Sequence, residues 1–361
     1  MTIRVATIGS GLIARLAHVP GYQNAGAEVV ATADVVETRA QKLADDFGIQ
    51  DVYTDYKELL KRDDIDAVSI CVPNHLHHEI TIAALEAGKH VLCEKPMAMT
   101  VQEAKEMWEA SERTGKILML GFCNRFRSDI QRLKKVIDQG QLGDIYYAKT
   151  GYVRRRGTPF GWFTVKDESG GGAVIDIGVH VIDMTRYLMG NPRPVSVMAS
   201  TYQKFRHYKI MDTDAWCSSD VKEGIRTGEE FDVEDLACAM IRFDNGATLT
   251  VDVSWAANIG QRDSIYSSVY GDKAGAQINP LTIFGENEGM LTDMEINTVD
   301  KNTHSEEIKH FISCVETGSE PISTAKHGVE IQQILNAIYE SAKTGQSVEI
   351  EDVFAIEVVE A

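Results

Sequence analysis

The sequence predicts an α/β protein in two units: a doubly wound parallel sheet, then an α/β domain built on a mainly antiparallel sheet. Three observations lead there. Over the first 121 residues, short apolar runs alternate with helical patterns, the mark of right-handed β-α-β crossovers. Those runs are apolar nearly throughout, as strands buried on both faces are. Beyond about residue 126 the runs lengthen and alternate in polarity, which suits strands with one covered face.

The elements follow in order. Strand-like runs fall at 3–8, 28–33, 67–72, 90–93 and 117–121. Helical stretches from about 12, and at 37–47, 76–87 and 101–113, separate them. A helix at 129–139 leads into strands at 145–156, 195–205, 236–243, 247–255 and 264–270. Asp244-Asn245-Gly246 reads as a hairpin turn, because Asn-Gly adopts positive φ at little cost. Helices at 305–316 and 328–344 close the chain. A length of 361 residues suits two domains, since single cores stop growing near about 250–300 residues. No repeat or Pro-rich linker intervenes, so residues 1–123 are read as the first domain and 124–361 as the second, its last helices packing back on the first.

Composition narrows the function classes. A net charge of −18 argues against a nucleic-acid partner, which needs a basic surface, and against attraction to anionic membranes. No apolar run reaches the roughly 18 residues of a membrane span. The N-terminus reads as a strand rather than a secretion signal. Cys71, Cys93, Cys123, Cys217, Cys238 and Cys314 form no C-x-x-C pair, and several fall in apolar runs. Free thiols and a cytoplasmic location are expected.

Gly9-Ser10-Gly11-Leu12-Ile13-Ala14 follows the first strand and opens the first helix. Gly9 permits a tight turn, and Gly11 lets backbone approach a pyrophosphate. The small Ala14 lets helix and strand pack closely. Free N–H groups at the helix start, around Leu12 and Ile13, then hold the anion. Alone the pattern is weak, but its place in a β-α-β unit is the one a Rossmann dinucleotide site requires. Asp34 ends the second strand and can accept hydrogen bonds from an adenosine ribose. It would repel a 2′-phosphate, so NAD is favoured. Arg39 lies one helical turn on and keeps NADP open.

Glu94-Lys95-Pro96 follows the strand at 90–93. Ligands of open parallel sheets bind beyond the carboxyl ends of strands, which puts Lys95 in the cleft. It can donate to a hydroxyl and favour an alkoxide-like transition state. From spacing alone it reads equally well as a strand-end charge. In the second unit Gly170-Gly171-Gly172 precedes Asp176 and His180, which are four apart and share a helix face, with Asp183 near the same stripe. A histidine near neutral pKa is a natural proton acceptor for alcohol oxidation. A core histidine paired with aspartate is the competing reading.

Asn124-Arg125-Phe126 should sit at the domain junction. Cofactor contact by Asn124 and substrate contact by Arg125 are open there, as is a structural interdomain arginine. Among Arg154, Arg155 and Arg156, successive residues face opposite ways, and Arg155 is taken as a substrate contact. Trp162 and Phe163 offer a sugar-stacking wall, and Tyr152 and Lys166 are further candidates. His75, His77 and His78 crowd one short turn with no acid or cysteine beside them, so no metal is expected.

The glycine turn, Val72-Pro73-Asn74-His75-Leu76-His77, Ala87-Gly88-Lys89-His90-Val91 and Glu94-Lys95-Pro96 together resemble the Gfo/Idh/MocA oxidoreductase family. Gly170-Gly171-Gly172 with Asp176 and His180, then Glu307-Ile308…Phe311 and Gly318…Pro321, extend the resemblance over essentially the whole chain. It implies a large open sheet in the second domain and hydride transfer between NAD(H) and a hydroxyl of a sugar, inositol or related polyol. It implies that Lys95, Asp176 and His180 are catalytic, with Asp176 and His180 also touching substrate. It implies that Glu94 helps place the cofactor, and that Pro73, Asn74 and His77 line its nicotinamide side. A homodimer or homotetramer is expected, with apolar strand residues such as Leu249, Val251 and Val253 as candidate contacts. Two other functions stay open: redox-neutral glycoside cleavage with tightly bound NAD, and non-catalytic dinucleotide sensing.

Overall fold

A computed structural model describes residues 2–206 and 231–355; Cys217 lies outside them. The first unit starts with β1 (Arg4–Ile8), whose end carries the glycine turn. A π-helical turn at Ala14–His18 runs into α1 (Val19–Asn24). Then come β2 (Glu28–Ala33), α2 (Glu37–Phe47), β3 (Asp51–Tyr53) and α3 (Tyr56–Leu60). The unit continues through β4 (Ala67–Ile70), α4 (His77–Glu86), β5 (His90–Cys93), α5 (Val101–Thr114) and β6 (Leu118–Leu120). All six strands are parallel, in the order β3-β2-β1-β4-β5-β6. Strand order reverses between β1 and β4, the switch point at which such sheets bind ligands. The short half-exposed β3 had no apolar run to announce it.

α6 (Ser128–Asp138) leads into β7 (Ile145–Arg154), the short α7 (Lys166–Ser169), a second π-helical turn at Val174–Gly178 and α8 (Val179–Leu188). β8 (Pro194–Tyr202), β9 (Leu236–Phe243), β10 (Thr248–Ser254) and β11 (Asp263–Gly271) follow, with the Asn-Gly turn joining β9 to β10. Three strands absent from the sequence reading come next: β12 (Gly275–Gln277), β13 (Thr282–Asn287) and β14 (Met290–Glu295). Every residue of β14 is exposed, so no hydrophobic alternation marks it. α9 (Thr303–Thr317), α10 (Ala325–Thr344) and β15 (Val348–Glu349) complete the chain. Among the described residues the second sheet has nine strands, ordered β14-β13-β12-β11-β7-β10-β9-β8-β15, and of these only β7 and β10 pair in parallel.

One face of this sheet is covered by helices α8 and α10. Leu249, Val251 and Val253 point to that side and are 0%, 3% and 2% exposed, which corrects their assignment as exposed contact residues. Alternation gives the period of a strand but not which face is covered. The open face instead carries Met198 opposite Met240, with Tyr202 further along β8 and Tyr270 on β11. α9 packs on α1 and α10 on α5, tying the end of the chain to the first unit.

Cys71, Cys93, Cys123 and Cys314 are buried free thiols, and Cys238 is an exposed one. No helix among the described residues is long and apolar enough to cross a membrane.

Candidate active site

The glycine turn is built for a ligand. Gly9 has φ +94°, and a Cβ there would stand 2.4 Å from the Cys71 carbonyl oxygen, so only glycine fits. At Gly11 a Cβ would meet no protein atom within 4 Å. Protein packing therefore does not demand that glycine; the open space is what a pyrophosphate needs. Both line a cavity of about 750 Å³ at the switch point. Ala14 is wholly buried under the turn.

Asp34 lines the same cavity at the end of β2. Its Oδ2 accepts from the Ser10 N–H at 2.9 Å, and its Oδ1 from the Val36 N–H at 2.9 Å. Arg39 approaches Oδ1 at 3.4 Å. Leu12, Ile13, Pro73 and Asn124 also line the cavity. Asn74 lines it too, and its Nδ2 donates to the Ser169 carbonyl at 2.7 Å, fastening the two units together. These residues fit a dinucleotide lying across the ends of β1, β2 and β4.

Glu94 is buried, with Oε1 2.8 Å from His18 Nε2. His18 in turn bonds Ser69 through Nδ1. Burial opposes ionisation of Glu94, but His18 outweighs it and holds the carboxyl near 2. His77 is fully buried, with its ring nitrogens on the Pro96 and Val72 carbonyls. It therefore props the turn that carries Lys95. The other two histidines of that stretch diverge, His75 to the Glu168 carbonyl and His78 to Glu106.

Lys95 reaches across the domain junction. Its Nζ donates to the Asp176 carbonyl at 2.8 Å and lies 3.2 Å from Asp176 Oδ1. Asp176 sits in the π-helical turn at Val174–Gly178, a device common at functional sites. The turn is anchored at its start by Glu234, whose carboxylate accepts from the Gly172 and Val174 N–H groups at 2.9 Å each. The glycines are required here. A Cβ on Gly172 would sit 1.9 Å from the Glu234 carbonyl oxygen, and one on Gly171 would sit 2.0 Å from the Tyr339 hydroxyl. They are a close-packed wall rather than a flexible turn.

Asp176 Oδ2 accepts from the indole N–H of Trp255 at 2.9 Å. Burial opposes its ionisation, but Lys95, Arg154 and Trp255 more than offset that and hold the carboxyl below its ordinary range. Both Asp176 oxygens are thus engaged, and neither orients His180. His180 lines the cavity with its Nδ1 buried and without a hydrogen-bond partner among the described residues. Burial, reinforced by the Lys95 charge, pushes it down to about 3, so the resting ring is neutral and uncharged beside Lys95.

The substrate-side expectations divide. Trp162 stacks on Phe163 with centroids 4.0 Å apart, and both line the cavity. Arg125 does not line it. It is wholly buried, its guanidinium bidentate to Asp183 at 2.6 and 2.8 Å. Asp183 is thereby removed from the Asp176 stripe. Arg155 is exposed and also faces away. Strand parity puts Arg154 inside together with Tyr152, whose hydroxyl accepts from Arg154 at 2.5 Å. Lys166 does not line the cavity. Sequence reasoning missed Trp255 and His304. Trp255 continues the inward alternation of Leu249, Val251 and Val253, which was its available signal.

A Rossmann unit with an open glycine turn and a Lys-Asp-His cluster under a second domain defines a dinucleotide-dependent oxidoreductase. Comparison with known proteins gives the family. Residues 3–122 match the oxidoreductase family with an NAD-binding Rossmann fold, GFO/IDH/MocA, and residues 134–350 match that family's C-terminal α/β domain. The chain belongs to this family. It is 38% identical to the D-glucoside 3-dehydrogenase of Escherichia coli K12, over 96% of this chain and 97% of the relative. It is 27% identical to the myo-inositol 2-dehydrogenase of Thermotoga maritima, over 97% and 99% of the two chains. The structure of a levoglucosan dehydrogenase with NADH and levoglucosan superposes with a TM-score of 0.85 at 25% identity, covering 98% of this chain and all of that one.

Proposed function

We propose that the protein oxidises a secondary ring hydroxyl of a D-glucoside or a closely related pyranoside, with NAD as hydride acceptor. The observation that carries this is the contact of Lys95 from the first unit with Asp176 from the second, beside a neutral His180, in the glycine-turn cavity. Similarity along nearly the full length to a D-glucoside 3-dehydrogenase supports the glucoside class.

The residues divide the work. NAD, when bound, supplies the hydride acceptor. Gly9, Gly11, Leu12, Ile13 and Asp34 hold its pyrophosphate and adenosine ribose, and Pro73, Asn74, Glu94 and Asn124 hold its nicotinamide side. Asp34 favours NAD because its carboxylate would repel a 2′-phosphate. Lys95 donates to the substrate hydroxyl oxygen and stabilises negative charge developing there. His180, unpartnered and neutral, accepts the hydroxyl proton. Asp176 fixes the Lys95 ammonium and is itself fixed by Trp255. Trp162 and Phe163 stack on the sugar ring, and Arg154 with Tyr152 closes its far side.

The open face of the second sheet, with Met198, Met240, Tyr202 and Tyr270 exposed, supports a homodimer or homotetramer built on that face. The free thiols support a cytoplasmic location.

The test is a panel of alkyl glucosides, free sugars and inositols followed at 340 nm with NAD and NADP separately. Glucoside-dependent NADH formation is expected, yielding a keto-glucoside. His180→Ala should lose about 10²–10⁴-fold in kcat while still binding NADH. Aglycone release without NADH accumulation would replace net oxidation with redox-neutral cleavage. Turnover of inositols but not glucosides would overturn the substrate class.

A further inference from the structure

His304 is a cavity residue with no role in the chemistry above. It is the second residue of α9, whose first turn closes the cavity from the C-terminal part of the chain. Its Nδ1 is buried and stands 3.6 Å from Glu307 Oε2. The side chain as a whole is 32% exposed, so the other edge of the ring, with Nε2, faces the open space.

Glu307 is the second half of the observation. It is wholly buried, and neither of its carboxylate oxygens has a hydrogen-bond partner among the described residues. An isolated buried carboxylate is costly, and burial holds Glu307 above its ordinary range, with His304 offsetting that only in part. A cation in the first turn of a helix also opposes the helix dipole. His304 is therefore unfavourable where it stands in the helix, whichever charge Glu307 carries. A role toward a ligand accounts for both groups.

Position suggests which ligand. Glu94 and Lys95 lie within electrostatic reach of the ring, and so does His180. These groups mark the nicotinamide end of the cavity, across the sheet from Asp34. We infer that His304 is a further cofactor-contact residue, donating from Nε2 to an oxygen of the nicotinamide riboside of bound NAD, with Glu307 behind it fixing the ring and its second proton. The inference rests on the dinucleotide occupying this cavity.

Protonation sets the direction. With both nitrogens protonated, Nδ1 faces Glu307 and Nε2 donates into the cavity. Burial works against the charged ring, but Glu307 outweighs it and lifts His304 above the ordinary histidine range. Once the ring loses a proton, Glu307 keeps the remaining one on Nδ1, and Nε2 becomes an acceptor. Cofactor affinity should therefore fall as pH rises through the range of this histidine. The charged and titratable groups packed around the pair include Glu94, Lys95, His18, His180, Tyr22 and Cys123.

The experiment is fluorescence titration of the purified protein with NADH, without substrate, from pH 6 to 9. Wild type should bind about tenfold more weakly at the alkaline end. His304→Ala should bind about tenfold more weakly at pH 6 and lose the pH dependence, which separates the ring from Lys95 and His18. Glu307→Gln should move the transition to lower pH. His304→Gln keeps a neutral donor and should bind with an affinity independent of pH. Melting temperatures of the cofactor-free variants check that each is folded. Wild-type affinity and pH profile in His304→Ala overturn the inference, as does a weaker His304→Ala that keeps the wild-type pH slope. Failure of wild type itself to bind NADH would instead strike the dinucleotide reading.

Discussion

Trp255 donates its indole N–H to Asp176 Oδ2 at 2.9 Å, on the oxygen opposite the one facing Lys95. Asp176 is thus held between the Lys95 ammonium and a wholly buried indole just past the end of β10. Trp255→Phe keeps most of the packing and removes the donor, leaving a buried carboxylate oxygen unpaired. That should cost about 1–3 kcal/mol of stability. It should also lower kcat about tenfold, since the Lys95 anchor loosens, with little change in NADH affinity. Steady-state kinetics and a urea melt on the same preparation check this. An unchanged kcat with lowered stability would make the indole a packing residue only.

The Asp34 carboxylate is committed on both oxygens to backbone amides of the cofactor cradle, with Arg39 alongside. Asp34→Ala removes the acceptor for a ribose hydroxyl and releases Arg39 from its anionic neighbour. NADH affinity should fall about tenfold, while NADPH affinity rises, because no carboxylate then repels a 2′-phosphate. Titration of each reduced cofactor measures the ratio. A variant that weakens both cofactors equally would remove Asp34 from cofactor selection.

The parts of the site legible in the sequence were those made by one continuous stretch. Gly9 to Ala14, Asp34 and Lys95 each stand at a strand end, where the chain itself dictates what faces the cleft. Asp176 and His180 were visible as a helical pair, but the π-helical turn and the two partners that engage Asp176 were not, since Lys95 and Trp255 arrive from distant strands. The arginine run shows the limit of strand parity. Alternation separates Arg154 from Arg155 and groups Arg154 with Tyr152, but it does not say which side is the cavity; only the packed structure shows Tyr152 and Arg154 lining it. β12 is too short, at Gly275–Gln277, to show a period, and β13 and β14 are largely exposed, so burial leaves no pattern in their residues.

Acid should destabilise the protein earlier than carboxylate protonation alone would. Burial and the Lys95 charge push His180 down to about 3, and burial with Arg125 and Arg186 pushes His327 down to about 2. In the unfolded chain each titrates near 6.5. Between pH 6.5 and the folded values the unfolded chain binds more protons, so stability present above pH 6.5 is lost as pH falls. At pH 5 each histidine accounts for up to about 2 kcal/mol. Urea midpoints at pH 7.5 and 5.0 should show the loss, and His327→Gln should show less of it. Equal losses in the two proteins would contradict neutral burial of His327.

Arg125 and Asp183 form the deepest ion pair of the junction, 0% and 1% exposed. Arg125 also donates to the Ile322 carbonyl and to His327 Nδ1, so one guanidinium binds α8 to the segment leading into α10. Removing one partner of such a pair leaves an uncompensated buried charge, which costs about 3–5 kcal/mol. Asp183→Ala and Arg125→Met should each destabilise by that order in urea unfolding. The double variant should lose less than the sum, because neither charge is then stranded. NADH affinity and the KM for sugar should stay near wild type in whatever fraction folds, because neither residue reaches the cavity. An Arg125→Met protein of normal stability but with a greatly raised KM would return this arginine to the substrate site.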